Sequence, residues 1–521
     1  MNIENYGLQW PMKRSMAEMF GGIMSSVSCR ALIVTAGVAM LGTSAVAADL
    51  GGNCCADLEE RVAELEATTA RKSNRKVSLQ IYGQVSETVM WWNDGAESNT
   101  YVQENNNIKN TLGFQGNAKI NSDWSAGFKM ELQIRAYRSS NASQLSLGAT
   151  NNAQIPVYNT QSVSLRHAFW FLKSASYGTI TVGRDVESVT GTSSISLVNP
   201  DGFSGAAGAG LANGGFFLRR AGTTGNTGLS ARTWQTSAWI NNGDGPVPFD
   251  YAQSKGLVKY TSPFFLGQTK SSGFLVSADW GADDAWSAAL RYVEDFGAVR
   301  VAAGVGYSSY TAPDRGFCST GASGNAGPGT QTQMFGGTAG PGGTDLGSTG
   351  DCSAIQASAS MLHVPTGLYV SGGFAQLDDK LSNQAALART NGNQTGNGKS
   401  EFWWVQAGWQ AKLNSLGNTI FWGQYVDVSA GLNAANGAVS TIAAADVLNS
   451  IGAMAIQRSA STQTWGLGVS QNIDAAAMTL YAGFHNVQTE LTLGSTTSTT
   501  IRKANAIDDM QIFYTGATIK F

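Results

Sequence analysis

The sequence predicts an all-β chain, a sixteen-stranded antiparallel transmembrane β-barrel with a short helix near its N-terminus. Three observations carry the prediction. Apolar and polar residues alternate in run after run, the connections between runs alternate between short and long, and the chain ends inside its last run. Composition sets the frame: 521 residues with 63 Gly, 14 Trp and only 13% charged residues, against about 25% charge in an ordinary soluble domain. Outside the N-terminal leader no apolar run approaches the roughly 18 residues that a helical span needs, so a membrane would have to be crossed by strands. The net charge of -3 and pI near 5.7 leave no basic stripe, which excludes nucleic acid as a partner.

Residues 1–47 read as a signal peptide. Ala31 to Leu41 is apolar, Arg30 precedes it, and Ala45-Val46-Ala47 supplies a small-residue cleavage site. A translation start at Met12, Met16 or Met24 would give a leader of ordinary length. Residues 48–76 form a separate segment, in which Leu58, Val62, Leu65 and Thr69 fall at 4-3-4 spacing among Glu59, Glu60, Arg61, Glu64 and Glu66. That spacing is a coiled-coil seam of about two heptads, too short to stand without a partner; the alternative is a solvated helical linker.

The barrel is expected over residues 77–521. From Trp124 to Ala136 the even positions are all apolar, while the odd ones include Lys129, Glu131, Gln133 and Arg135. A period of two is a strand, and charge on one face opposite a fully apolar face fits a strand tilted through a bilayer. A half-buried strand of a soluble sandwich would alternate likewise, so recurrence decides. The first strand begins at Val77, with Glu87 as the one charge on its apolar side; the second, Leu112 to Ile120, turns through Asn121-Ser122-Asp123 into Trp124. Further runs are Ser162 to Lys173, Gly178 to Arg184, Lys255 to Pro263, Ser272 to Trp280, Ala285 to Asp295, Ala298 to Tyr310, Ser353 to His363 and Thr366 to Gln376. Glu401 to Ala411, Asn418 to Val428, Thr462 to Asn472, Ala477 to Gln488 and Asp509 to Phe521 complete sixteen.

Connections after even-numbered strands are short, such as Ser174 to Tyr177 and Ile473 to Ala476. Those after odd-numbered strands are long and polar, such as Arg138 to Gln161, Asp185 to Ser254 and Thr311 to Cys352, with Gly281 to Asp284 the exception. Short turns on one side and long loops on the other characterise outer-membrane barrels. In the final run Phe513, Thr515, Ala517, Ile519 and Phe521 share one face. Pairing of that strand with the first would remove both sheet edges and require an even strand number. Trp91, Trp124, Trp286, Trp403, Trp409 and Trp465 fall near strand ends on the apolar face, as interfacial girdles do.

Several stretches carry a family resemblance: Cys54 to Lys72 ahead of Val77-Ser78-Leu79, Arg166 to Leu172, Thr181 to Asp185, and Gln471 to Met478. They resemble porins of the alphaproteobacterial type, and the resemblance covers nearly all of the chain after the leader. It implies a general diffusion porin, a homotrimer in outer-membrane lipid passing small hydrophilic solutes and ions, with the third loop folded into the lumen as a constriction. It brings no catalytic residue and no cofactor.

Such porins place the constricting loop after the fifth strand, here 185–254. It holds Asp185, Glu187, Asp201, Asp244 and Asp250, with Arg219, Arg220 and Arg232 between them. The Gly- and Ala-rich middle of the loop could instead be mobile. Lys119, Lys129, Arg135 and Arg166, with Glu131 among them, fall on predicted lumenal positions. Acid on the loop facing base on the wall would set up a transverse field that sorts solutes; each charge alone reads equally as a solvated wall residue.

Cys318 and Cys352 bracket one Gly-rich loop, which favours a disulfide between them; Cys54 and Cys55 are adjacent and could link chains. Neither pair has a second ligand couple at zinc spacing, so no metal site is expected. His167, His363 and His485 lie in three separate strands, and no nucleophile motif accompanies them. A barrel enzyme and a barrel serving as an envelope anchor through its N-terminal helix are the alternatives to a pore.

Overall fold

The computed structural model describes residues 77–105, 107–134, 139, 142–145, 163–198, 215–225, 229–234, 255–281, 285–310, 352–379, 399–430, 455–495, 498–504 and 506–521. The expectations for the leader, the N-terminal helix, Arg135, Asp201, Asp244, Asp250 and Cys318 therefore lie outside the described residues.

In chain order the strands are β1 (Gln80–Asn93), β2 (Ser98–Glu104), β3 (Asn110–Lys119), β4 (Trp124–Ile134), β5 (Val163–Ser174), β6 (Gly178–Asp185) and β7 (Phe217–Arg219). There follow β8 (Leu229–Thr233), β9 (Lys255–Thr261), β10 (Gly273–Gly281), β11 (Trp286–Asp295), β12 (Val299–Tyr310), β13 (Cys352–His363) and β14 (Leu368–Asp379). The last are β15 (Lys399–Ala411), β16 (Thr419–Ala430), β17 (Ala455–Ile473), β18 (Met478–Ser495), β19 (Ile501–Lys503) and β20 (Met510–Lys520). With β2, β7, β8 and β19 set aside as short strands in the long connections, sixteen strands pair antiparallel with their neighbours in one ring. The ring closes where β1 pairs with β20, Val89 opposite Thr515. Phe521 and Gly83 add a reciprocal pair of backbone hydrogen bonds at 3.0 and 2.9 Å, so neither edge of the sheet is left unpaired.

The side chains obey the period-two reading. On β1, Ile81, Val85 and Val89 are exposed apolar residues of one face, whereas Ser86, Thr88, Met90 and Trp92 of the other are buried. The exposed face points out of the barrel, and Trp280, Trp286, Trp403, Trp409 and Trp465 all lie on it. Glu87 shares it but is half-buried, with the Asn110 amide donating to its Oε1 at 3.1 Å.

Two departures from the expected elements have one physical cause. The connection after β1, read as a polar loop, contains β2, which pairs with Glu87 to Asn93 as the return arm of a hairpin. β17 and β18 run further than expected, to Ala455 and Ser495. The added residues include Gln457, Ser459, Glu490 and Thr492. Once a strand rises beyond an apolar surroundings, nothing forces one of its faces to be apolar, and the alternation that betrays it fades.

Candidate functional site

The inner wall carries a row of ionisable side chains at one level. In register across neighbouring strands, Tyr82 of β1 lies opposite Gly113 of β3, Gly113 opposite Glu131 of β4, and Glu131 opposite His167 of β5. The row is joined by hydrogen bonds. Tyr82 donates to Glu131 Oε2 at 2.8 Å, Arg166 Nη1 donates to Glu131 Oε1 at 2.6 Å, and Lys129 Nζ lies 3.4 Å from Glu131 Oε2. His167 Nδ1 is 3.0 Å from Asp185 Oδ1, and Lys259 Nζ of β9 donates to Asp185 Oδ2. A bulge places Arg166 on the same carboxylate: Glu131 and Leu132 of β4 face His167 and Leu165, and Arg166 is the extra residue.

Gly113 is what lets Tyr82 cross β3 to reach Glu131. A β-carbon there would lie 2.2 Å from the Tyr82 ring, so Gly113→Ala is expected to push the ring aside and break its bond to Glu131. The expected loss is about 1–3 kcal/mol, the usual range for overpacking. Denaturant unfolding followed by tryptophan fluorescence checks it, and an unchanged midpoint would show that the ring moves without cost.

Beyond Asp185 the chain leaves the sheet and lies along the inner faces of β10 to β15. Wall side chains bind its backbone. Asp279 accepts from Ser188 N, Arg291 Nη2 donates to Ser188 O and Thr190 O at 2.6 and 2.8 Å, and Gln356 donates to Val189 O at 3.0 Å. Ser358 donates to Thr192 O at 2.7 Å and accepts from Ile195 N at 2.8 Å, and Trp404 Nε1 donates to Ser193 O at 2.8 Å. Inward glycines make the room: β-carbons at Gly304, Gly306 and Gly373 would lie 2.7, 2.5 and 2.5 Å from Ile195, Val189 and Ser193. Wall side chains from four strands, each bound to the backbone of the segment, make it part of the wall.

A later part of the same connection packs against β1. Phe216 meets Trp92 edge-on at 5.0 Å and stacks on Tyr101 at 6.3 Å. The Arg219 side chain is fully buried, its Nη2 2.8 Å from Asp94 Oδ2 and 3.3 Å from Glu97 Oε1. Its Nη1 donates to Gly225 O at 2.8 Å. Gln144 ties a third connection in, donating to Phe217 O and accepting from Phe217 N, both at 2.8 Å. Burial alone would raise the Asp94 carboxyl, but the Arg219 guanidinium and the amides of Glu97, Gln144 and Ala96 outweigh it and hold it below the usual carboxylate range. Around this latch the inward residues Met90, Trp92, Tyr481, Ile512 and Tyr514 join Phe216, Leu218 and Trp234 in one apolar cluster.

The candidate residues thus fall into distinct settings. Lys119, Lys129 and Glu131 share the inward face of β3 and β4, and Arg166, Asp185 and Lys259 meet them there. Glu187 is buried at the start of the segment laid on the wall. Arg219 belongs to the buried latch, Arg220 forms an isolated bridge to Ile507, and Arg232 lies in β8. His485 is buried beside Gln424, with 3.1 Å between Nε2 atoms, and His363 faces Thr366 in a turn. Among the described residues no group of three or more His, Cys, Asp or Glu could hold a metal ion. Lys259, Asp279 and Arg291 went unread in the sequence. The alternation of their strands leaves open what each one touches, which the register across strands supplies.

No family model matches the chain, and no curated protein matches it. Solved structures do. OmpT of Vibrio cholerae, an outer membrane protein in a trimer form, is 15% identical, with 85% of this chain and 99% of that chain covered and a TM-score of 0.46. An anion-selective porin from Comamonas acidovorans is 13% identical over 85% of this chain and all of its own, with a TM-score of 0.45. OprB of Pseudomonas putida is 11% identical over 87% and 96% of the two chains, with a TM-score of 0.48.

Proposed function

We propose that this chain is an outer-membrane porin through which small hydrophilic solutes and ions diffuse passively. The observation that carries the reading is the closed antiparallel ring with an apolar outer face and an ionisable, partly solvated inner arc. On β1 the outward residues from Ile81 to Trp91 span ten positions, about 33 Å along the strand, which a tilt of about 40° reduces to about 25 Å, the height of an outer-membrane apolar band. A soluble barrel has no use for exposed rings such as Trp280, 59% accessible, and Trp465, 45% accessible.

Residues 1–47 would direct export, residues 48–76 would form the helical segment used in trimer assembly, and Cys318 and Cys352 would close their loop as a disulfide. Lys119, Lys129, Glu131, Arg135 and Arg166 would line the pore, with the connection 185–254 narrowing it. The hydrolase alternative needs a nucleophile and an acid on one histidine; His167 meets Asp185, His485 meets Gln424 and His363 meets the Thr366 hydroxyl in a turn, and none of these described bonds joins both to one ring. Purified protein added to a planar bilayer is expected to give discrete, ungated conductance steps. Insertion without any conductance would leave the anchor reading in its place.

A further inference from the structure

The inner wall is not uniform, and its charges are sorted by depth. On the inward faces of β3 to β6 and β9, the charged residues with described side chains are Lys119, Lys129, Arg166, Lys173 and Lys259 against Glu131 and Asp185. The two carboxylates are covered, with side chains 4% and 8% accessible, while the cations bound to them, Lys129, Arg166 and Lys259, keep 24%, 16% and 15%. Lys119 and Lys173 are exposed and both lie level with Ser125, Lys119 opposite it on β3 and Lys173 opposite it on β5. Asp123, in the turn beside them, accepts from the Ser174 and Ser176 hydroxyls at 2.7 and 3.0 Å, and its single negative charge leaves the two lysines in excess. From β16 to β20 the inward residues Trp422, Val426, Tyr481, Ile512 and Tyr514 are at most 4% accessible, and the polar Gln424, Thr464 and His485 among them are covered as well.

Resting on the pore reading above, we propose that solutes pass along a lane on the β3–β6 and β9 arc, where two rungs of cations select small anions such as carboxylates and phosphates. The lower rung is Lys119 with Lys173; the upper is Lys129 with Arg166 and Lys259. Ser125 and Lys129 are four residues apart on β4, so the rungs stand about 13 Å apart, and with a screening length of about 8 Å an anion leaving one is already within the field of the next. An ammonium has three donors and a guanidinium five, more than two carboxylates absorb, so each rung keeps donors for a passing oxyanion. The lane recruits by charge without a closed pocket, which suits passage better than retention.

The test is the reversal potential of the whole protein in a planar bilayer under a potassium chloride gradient, with inorganic phosphate as a second probe. The wild type is expected to prefer anions, and phosphate on the turn side to reduce chloride current. Lys173→Gln and Lys119→Gln remove exposed charges and each is expected to lower the anion-to-cation permeability ratio about two- to fourfold, more at low salt than at high. Circular dichroism and unchanged trimer or monomer migration confirm that the variants fold. Conductance with cation preference, or with a ratio that both substitutions leave unchanged, overturns the lane while leaving the pore. The absence of any conductance removes both.

Discussion

Arg219→Ala is expected to release the segment 215–225 from the barrel and, on the proposed pore reading, to widen the path. The guanidinium is fully buried and bound to Asp94, Glu97 and Gly225 O. Removing one partner from a buried pair costs about 3–5 kcal/mol because the other charge stays buried alone. The backbone of the segment is held separately, by Asp508 N to Arg219 O at 3.0 Å, Ala221 N to Ala506 O at 2.8 Å and Trp234 N to Phe216 O at 2.9 Å, and by Gln144 at Phe217. Limited proteolysis should therefore cut the variant within this segment and leave the wild type intact, and single-channel conductance should rise. Equal resistance to protease would show that the Phe216 and Trp92 contact holds the segment without the ion pair.

The same latch predicts a pH response. The folded Asp94 carboxyl is more acidic than an unfolded one, because the guanidinium and amide donors outweigh its burial. Its contribution is complete above the ordinary carboxylate range, near pH 4, and fades as pH falls through the folded value. Acid should thus make the wild type as protease-sensitive as Arg219→Ala is at neutral pH, and Asp94→Asn should lose that acid dependence.

Much of the barrel was legible because a bilayer imposes a one-dimensional rule on every strand. Alternation located all sixteen ring strands, and the short turns such as Asn121 to Asp123 fixed which runs were neighbours. Strand parity likewise placed Lys129 and Glu131 on one face, since a strand has only two. What alternation cannot carry is depth and partnership. Nothing in the local sequence distinguishes Arg219, sealed between Asp94 and Glu97, from an arginine lining an aperture. Asp185 was expected on a loop facing the wall, but as the last residue of β6 it sits in the wall and binds His167 and Lys259. Some of the contacts join residues far apart in the chain, 74 positions for Lys259 to Asp185 and 103 for Arg291 to Ser188. Pairing of β6 with β9 across a long connection, and the inward course of the chain after Asp185, bring such residues together.

The largest effect on the inward segment should come from Arg291→Met, which keeps an unbranched apolar stem and removes the donors. Arg291 is 5% accessible and serves two backbone carbonyls of one turn, Ser188 O and Thr190 O, together with the Ser277 hydroxyl at 3.2 Å. A buried carbonyl left without a donor costs about 1–3 kcal/mol, and here two are stranded at once. Gln356 and Ser358 hold the segment further along, at Val189 O and Thr192 O, so the expected outcome is fraying from the Ser188 end while the Ser193 end stays docked on Trp404. In a bilayer that should appear as excess current noise and a broadened distribution of conductance steps, with a mean that changes less than in Arg219→Ala. Arg291→Lys, which can reach one carbonyl but cannot span both as a planar fork does, should fall between the two. Adding Gln356→Leu to Arg291→Met should increase the noise by more than the sum of the single effects, because each anchor limits how far the other can fray. Quiet, wild-type steps from the double variant would mean that the apolar contacts of Val189 and Ile195 with the glycine-cleared wall hold the segment unaided.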